Sequence, residues 1–241
     1  MPNPYFQFKQ FTVYHDRCAM KVTTDSCVFG AWAAREIATD QRRIGRVLDI
    51  GGGTGLLSMM VAQKNEVDID AVEIDKEAAQ QSIENIEASP WKEKIHVYNE
   101  DITELKPHGK YDCIISNPPF YENELSSENK KKNTAHHSED LTLAQVVRII
   151  VANLNEEGTF FIMVPFKRKK EMERLLEQNH LYITTILILC QSLKHGPFRV
   201  LVKGSKRRAG VHNELSMLIW DDGQRYTESF VELLKEYYLY L

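Results

Sequence analysis

No run of apolar residues in this chain approaches the ~20 that a membrane-crossing helix needs, so a helical membrane protein is excluded. Cysteine is scarce. Cys18, Cys27, Cys113 and Cys190 form no Cys-x-x-Cys pair and have no histidine at metal-ligand spacing, which argues against a zinc module or a disulfide scaffold. Reduced, mostly buried thiols are expected instead, and no metal. Positive charge is also in short supply overall, at a net −4. Repeats and low-complexity segments are missing. The first ten residues lack the basic start, apolar stretch and small-residue site of a secretory signal. A cytoplasmic protein, a monomer with no membrane partner, is the expectation. The 241 residues suit one α/β domain, with residues 1–40 as an N-terminal extension.

Apolar runs alternate with helical patterns through most of the chain. Strands are expected at 46–50, 69–73, 95–98, 111–116 and 159–164, and helices at 56–64, 76–88 and 141–154. Such alternation builds a doubly wound, mostly parallel sheet with helices on both faces. The last third is β-rich at 181–189, 198–202 and 215–220, which suggests antiparallel strands added at the sheet edge, followed by a final helix at 228–240. Phe6, Phe8, Phe11 and Val13 suggest a short hairpin, and Ser26 to Ala34 a helix capped by Thr24 or Asp25.

Three motifs fall where such a sheet presents its ligand crevice, beyond the carboxyl ends of the strands. The first runs from Asp49 into Gly51, Gly53 and Gly55, a glycine turn opening a helix. Glycine admits positive φ and lets backbone approach a ligand closely. Dinucleotide enzymes use similar turns, but Leu56 stands where their third glycine would be. The second motif is acidic. Glu73 ends the next strand, twenty residues after Gly53, where a carboxylate can accept both ribose hydroxyls. Asp101 follows the third strand and can accept from an adenine amino group. Their neighbours Ile74 and Ile102 complete this part of the cofactor set.

The third motif is Asn117-Pro118-Pro119-Phe120, after the fourth strand. An amino or amide nitrogen on a conjugated system is a poor nucleophile because its lone pair is delocalised. The Asn117 side-chain oxygen and the Pro118 carbonyl can both accept from that NH2 and stabilise charge as the nitrogen becomes tetrahedral. Proline adds rigidity, and Phe120 offers a face for stacking.

Together these motifs resemble the class I, NPPF-type methyltransferases over residues 45 to 220. The upstream run Phe8-Lys9-Gln10-Phe11, His15 to Asp25 and Gly30-Ala31-Trp32 is similar to the bacterial valine-tRNA adenine-N(6) methyltransferases, which act at tRNA position 37. The resemblance implies a seven-stranded sheet, S-adenosylmethionine as cofactor and tRNA as substrate. It also implies an N-terminal extension over the cofactor, with Lys21, Thr23 and Asp25 lining its methionine end. Thr23 replaces a glycine of the family pattern. Related enzymes methylate guanine in ribosomal RNA, adenine in DNA or a glutamine amide in protein. Tyrosine, common in the glutamine enzymes, is replaced here by Phe120, and 241 residues leave no room for the second domain of many ribosomal guanine enzymes. A non-catalytic RNA-binding subunit is the remaining alternative.

Two features bear on the substrate. From Lys167 to Glu214 there are eleven Lys/Arg against four Glu, a surplus that could seat a phosphate backbone or simply face solvent. The resemblance implies that the polar stretch 121–139, with Lys130-Lys131-Lys132 and His136-His137, is a loop over the target base; the histidines are expected to be solvated, with a functional His136 or His137 as the alternative.

Overall fold

A computed structural model describes residues 3–105, 109–118, 141–208 and 210–241. A short hairpin of β1 (Tyr5–Gln7) and β2 (Thr12–Tyr14) precedes α1 (Thr24–Ala38). The βαβ region follows as β3 (Arg46–Ile50), α2 (Leu56–Ala62), β4 (Asp68–Val72), α3 (Lys76–Glu87), β5 (Ile95–Tyr98), β6 (Tyr111–Ser116), α4 (Leu143–Asn153) and β7 (Leu154–Pro165). Then come α5 (Lys169–Gln178), β8 (Tyr182–Cys190), β9 (Pro197–Ser205), β10 (Asn213–Leu218) and α6 (Glu228–Leu234).

The expected doubly wound fold is present. One sheet has the order β10-β8-β9-β7-β6-β3-β4-β5, and its C-terminal side carries the antiparallel pairings β7–β9 and β8–β9. The sheet has eight strands where the resemblance implied seven, and β10, read from the sequence at 215–220 as an antiparallel strand, instead pairs in parallel with β8. β9 is therefore the strand that runs against the rest. Alternating residues of the central strands feed two cores. Val47, Ile69, Cys113, Ile115 and Phe161 join α1, α2 and α6 on one face. Leu48, Ile50, Ile114, Phe160 and Ile162 join α4 and α5 on the other. Strands buried on both faces read as near-continuous apolar runs, which is why β3, β6 and β7 stand out in the sequence.

Three boundaries differ from expectation. The cap of α1 is Thr23, whose backbone is extended at φ −122° and whose N–H donates to Ser26 Oγ at 3.1 Å. Nothing at that position demands glycine. The last helix stops at Leu234 rather than Tyr240 because the following groups are engaged elsewhere: Lys9 N–H donates to the Tyr237 carbonyl at 2.8 Å, and Tyr237 Oη donates to the Met60 carbonyl at 2.9 Å. Finally, α5 forms inside the basic tract, where Met172 and Leu176 provide its buried stripe.

Candidate active site

Strand register sets the site. Ile50 pairs with Val72 on one side and Ser116 on the other, and Val72 pairs with Tyr98. The next residues of four adjacent parallel strands, Asn117, Gly51, Glu73 and Asn99, therefore stand abreast at one edge of the sheet. That edge is the carboxyl end, where this architecture receives ligands.

The glycine turn is shaped by backbone. Gly51 and Gly52 N–H groups both donate to the Val72 carbonyl, at 2.9 and 3.1 Å. Gly51, Gly53 and Gly55 have φ of 74°, 53° and 79°, a region that disfavours side chains. At Gly55 space is also short, since an added Cβ would lie 2.8 Å from Ser82 Oγ. At Gly51 such an atom would meet nothing within 4 Å, so the turn is open to a ligand on that side.

Glu73 closes the turn from β4. Its Oε2 accepts from Gly53 N–H and its Oε1 from Asp75 N–H, both at 2.9 Å. A carboxylate has about four lone-pair sites, so each oxygen keeps acceptor capacity for a ribose hydroxyl. Asn99 tightens the same corner by donating to the Glu73 and Ile74 carbonyls at 2.9 and 3.1 Å. Beside them Ile74 is an exposed apolar side chain. Asp101 Oδ1 accepts from the Thr103 N–H and Oγ1, each at 2.8 Å, which fixes the turn carrying Ile102. Ile102 itself leans on the second core.

Asp49 lies under the glycine turn and is fully buried. Ser58 Oγ donates to its Oδ2 at 2.7 Å, while its Oδ1 has no partner among the described residues. Desolvation, with a smaller push from the Glu73 charge, raises its pKa to about 7 against the lowering effect of Ser58.

Asn117 carries a second unsatisfied acceptor. Its Oδ1 is buried and has no hydrogen-bond partner among the described residues. Pro118, adjacent to it, is also buried. Pro119 and Phe120 lie outside the described residues, as do Lys130 to Lys132, His136 and His137.

The N-terminal segment reaches this edge from two sides. Arg199, paired to the end of β7 at Pro165, donates to Asp25 Oδ2 at 2.6 Å, so the start of α1 sits at the carboxyl end of the sheet. Lys21 and Thr23 are exposed, and Asp25 is buried. On the other side α3 clasps residues 14–18. Asn85 exchanges hydrogen bonds with both backbone groups of Tyr14, at 2.9 and 3.0 Å, and donates to the Thr54 carbonyl at 3.0 Å. Gln81 accepts from Arg17 N–H at 3.1 Å and donates to Asp16 at 2.7 Å. Neither residue is singled out by sequence reasoning, because both look like the polar face of a helix. The one available signal is their spacing: Gln81 and Asn85 are four apart and so share a face.

The basic tract is largely neutralised. Arg168 pairs with Glu171, Lys169 with Glu214, Arg199 with Asp25, Lys203 with Glu36, Lys206 with Glu156 and Arg207 with Glu157. Among the described residues no three His, Cys, Asp or Glu side chains gather to hold a metal ion. No helix among them is long and apolar enough to cross a membrane.

Known proteins match this arrangement. Residues 34–186 match the methyltransferase small domain family. A protein of Bacteroides thetaiotaomicron named tRNA1(Val) (adenine(37)-N6)-methyltransferase is 39% identical over 243 residues, covering 100% of both chains. A protein of the same name from Dyadobacter fermentans is 42% identical, covering 98% of each. Among solved structures, a putative class I S-adenosylmethionine-dependent methyltransferase of Listeria monocytogenes superposes with a TM-score of 0.59 at 14% identity, over 83% of this chain and 68% of that one.

Proposed function

This chain belongs to the tRNA1(Val) (adenine(37)-N6)-methyltransferase family and carries the methyltransferase small domain, and on that premise we propose that Asn117 and Pro118 present an adenine amino group of tRNA to S-adenosylmethionine held at the glycine turn. The observation that carries this reading is the buried Oδ1 of Asn117, without a partner among the described residues, one residue beyond β6 and abreast of Gly51 and Glu73. A buried acceptor without a donor costs about 1–3 kcal/mol, so the site gains what the protein forgoes when an N–H arrives.

The residues fit the cofactor on their own geometry. The positive-φ glycines leave the turn open at Gly51, Glu73 keeps acceptor capacity on both oxygens, and Ile74 offers an apolar face next to it. Asp101 and Ile102 bound the adenine side, and Asp49 supports the turn from below. Lys21, Thr23 and Asp25 approach from the start of α1, so residues 1–40 act as a cover within a single-domain enzyme. S-adenosylmethionine, when bound, supplies an activated methyl group.

The chemistry left to the protein is orientation and charge stabilisation. Asn117 Oδ1 and the Pro118 carbonyl each accept one N–H of the target amine, which turns the lone pair toward the donor. As the nitrogen becomes tetrahedral it gains positive charge, and both acceptors strengthen. Pro118 fixes its own φ, so little reorganisation is required. Pro119 and Phe120 complete the motif in this proposal, with Phe120 stacking the base.

Replacing Asn117 by Ala is expected to lower kcat for methyl transfer to tRNA by on the order of 10²-fold, as when one charge-stabilising group is removed. Affinity for S-adenosylmethionine, followed by calorimetry, should change far less. Near-normal turnover would remove Asn117 from the mechanism.

A further inference from the structure

A cleft at the far end of the same sheet edge is not used by the reaction described above. It measures about 340 Å³ and opens between the loop after β8 and the hairpin after β10. The two strands continue their ladder into it, since Trp220 N–H donates to the Gln191 carbonyl at 3.0 Å.

Trp220 lines it and is backed by two further aromatic rings. Trp220 lies on Tyr226 with ring centroids 4.1 Å apart and an interplanar angle of 21°, and Tyr226 lies on Phe230 at 4.4 Å and 14°. Tyr226 covers one face of Trp220, and Trp220 itself lines the cleft. Gln191 and Gln224 bring amides, each able to donate and accept. Lys194 and His195 bring exposed groups suited to a phosphate, on a loop held by a 2.8 Å hydrogen bond between Ser192 Oγ and His195 Nδ1. Asp221 and Asp222 also line the cleft; Asp221 Oδ1 is occupied, accepting from the Gly223 and Arg225 N–H groups at 2.8 and 2.9 Å, and Asp222 sets the side of the cleft that a phosphate must avoid.

We propose that this cleft binds a second, unpaired nucleotide of the RNA substrate, its base stacked on Trp220 and its phosphate held by Lys194. An aromatic ring, amides and a cation lining one cleft are the side-chain types that single-stranded RNA recognition uses. The cleft also lies at the right distance. Three to four strand spacings separate β6, which carries Asn117, from β8 and β10. At ~4.8 Å per spacing that is roughly 14–19 Å. A stacked strand covers this in about four to six nucleotides at ~3.4 Å each. The proposal rests on the RNA reading of the active site and gives that reading a second contact point.

The test is steady-state kinetics on tRNA with Trp220→Ala and Lys194→Ala. Loss of the Trp220 face should raise KM for tRNA about tenfold, within the usual range for one stacked base, with kcat and S-adenosylmethionine affinity within about twofold of wild type. Lys194 is exposed, so its replacement keeps the fold. It should raise KM and flatten the salt dependence by about one phosphate. In a stem-loop substrate scanned with abasic nucleotides, one position other than the target should raise KM for wild type and add nothing in Trp220→Ala. Wild-type KM in both variants, or abasic penalties that persist undiminished in Trp220→Ala, would overturn the cleft while leaving the active site standing. A wild-type protein inert on tRNA would overturn the active-site reading and the cleft with it.

Discussion

Asp49 is a carboxylate in a place that favours its protonated form. Burial raises its pKa to about 7, whereas in an unfolded chain it titrates near 4. Between those values the folded protein holds a proton that the unfolded chain has released, so this group's contribution to stability falls as pH rises through the window and levels off above it. Asparagine at this position cannot titrate. The melting temperature of Asp49→Asn relative to wild type, measured without cofactor, should therefore be higher at pH 8 than at pH 5. A difference that does not move with pH would show that Asp49 is solvated or paired in a way the structure lacks. The residue was legible in the sequence as the last polar position before the glycine turn. Its missing partner was not, because the hydrogen bonding to Ser58 depends on how β3 and α2 pack. Asn117 is a parallel case, since the motif names the side chain but only burial reveals an acceptor left open.

At the level of elements, α3 does more than cover a sheet face. Its polar positions Gln81 and Asn85 are 1% and 2% exposed, so what reads as a solvent-facing stripe is an interface with residues 14–18. Asn85 bonds the N-terminal segment and the glycine turn at once, through Tyr14 and Thr54. Asn85→Ala leaves Tyr14 and Thr54 groups unsatisfied, at about 1–3 kcal/mol for each that stays buried. A fall in melting temperature of roughly 5–10 °C is expected, with weaker S-adenosylmethionine binding by calorimetry as the turn loosens. An unchanged melting temperature would mean that water takes over the bonds and that the segment is not clasped by α3. The last helix teaches the same lesson from the other direction. Its helical pattern runs on to Tyr240, yet the chain turns after Leu234 because the hairpin at the N-terminus takes its backbone.

Across the whole molecule, the sheet was readable because strands buried on both faces produce continuous apolar runs. The pairing of β10 was not, since an edge strand with exposed Asn213 to Ser216 shows neither a full run nor a clean alternation. Charge was the least legible property. A surplus counted along Lys167 to Glu214 cannot see Asp25, Glu36, Glu156 or Glu157, which lie outside that window in sequence and against it in space. Lys170, Arg174, Lys194 and Arg208 form no ion pair with described residues, so the surplus that remains of the tract rests on them.

The nitrogen that receives the methyl group decides the substrate. Incubating the protein with labelled S-adenosylmethionine and total tRNA, then digesting the tRNA to nucleosides, identifies it directly. Label in N(6)-methyladenosine is the expected result. Label confined to 2-methylguanosine, or to protein, would contradict it.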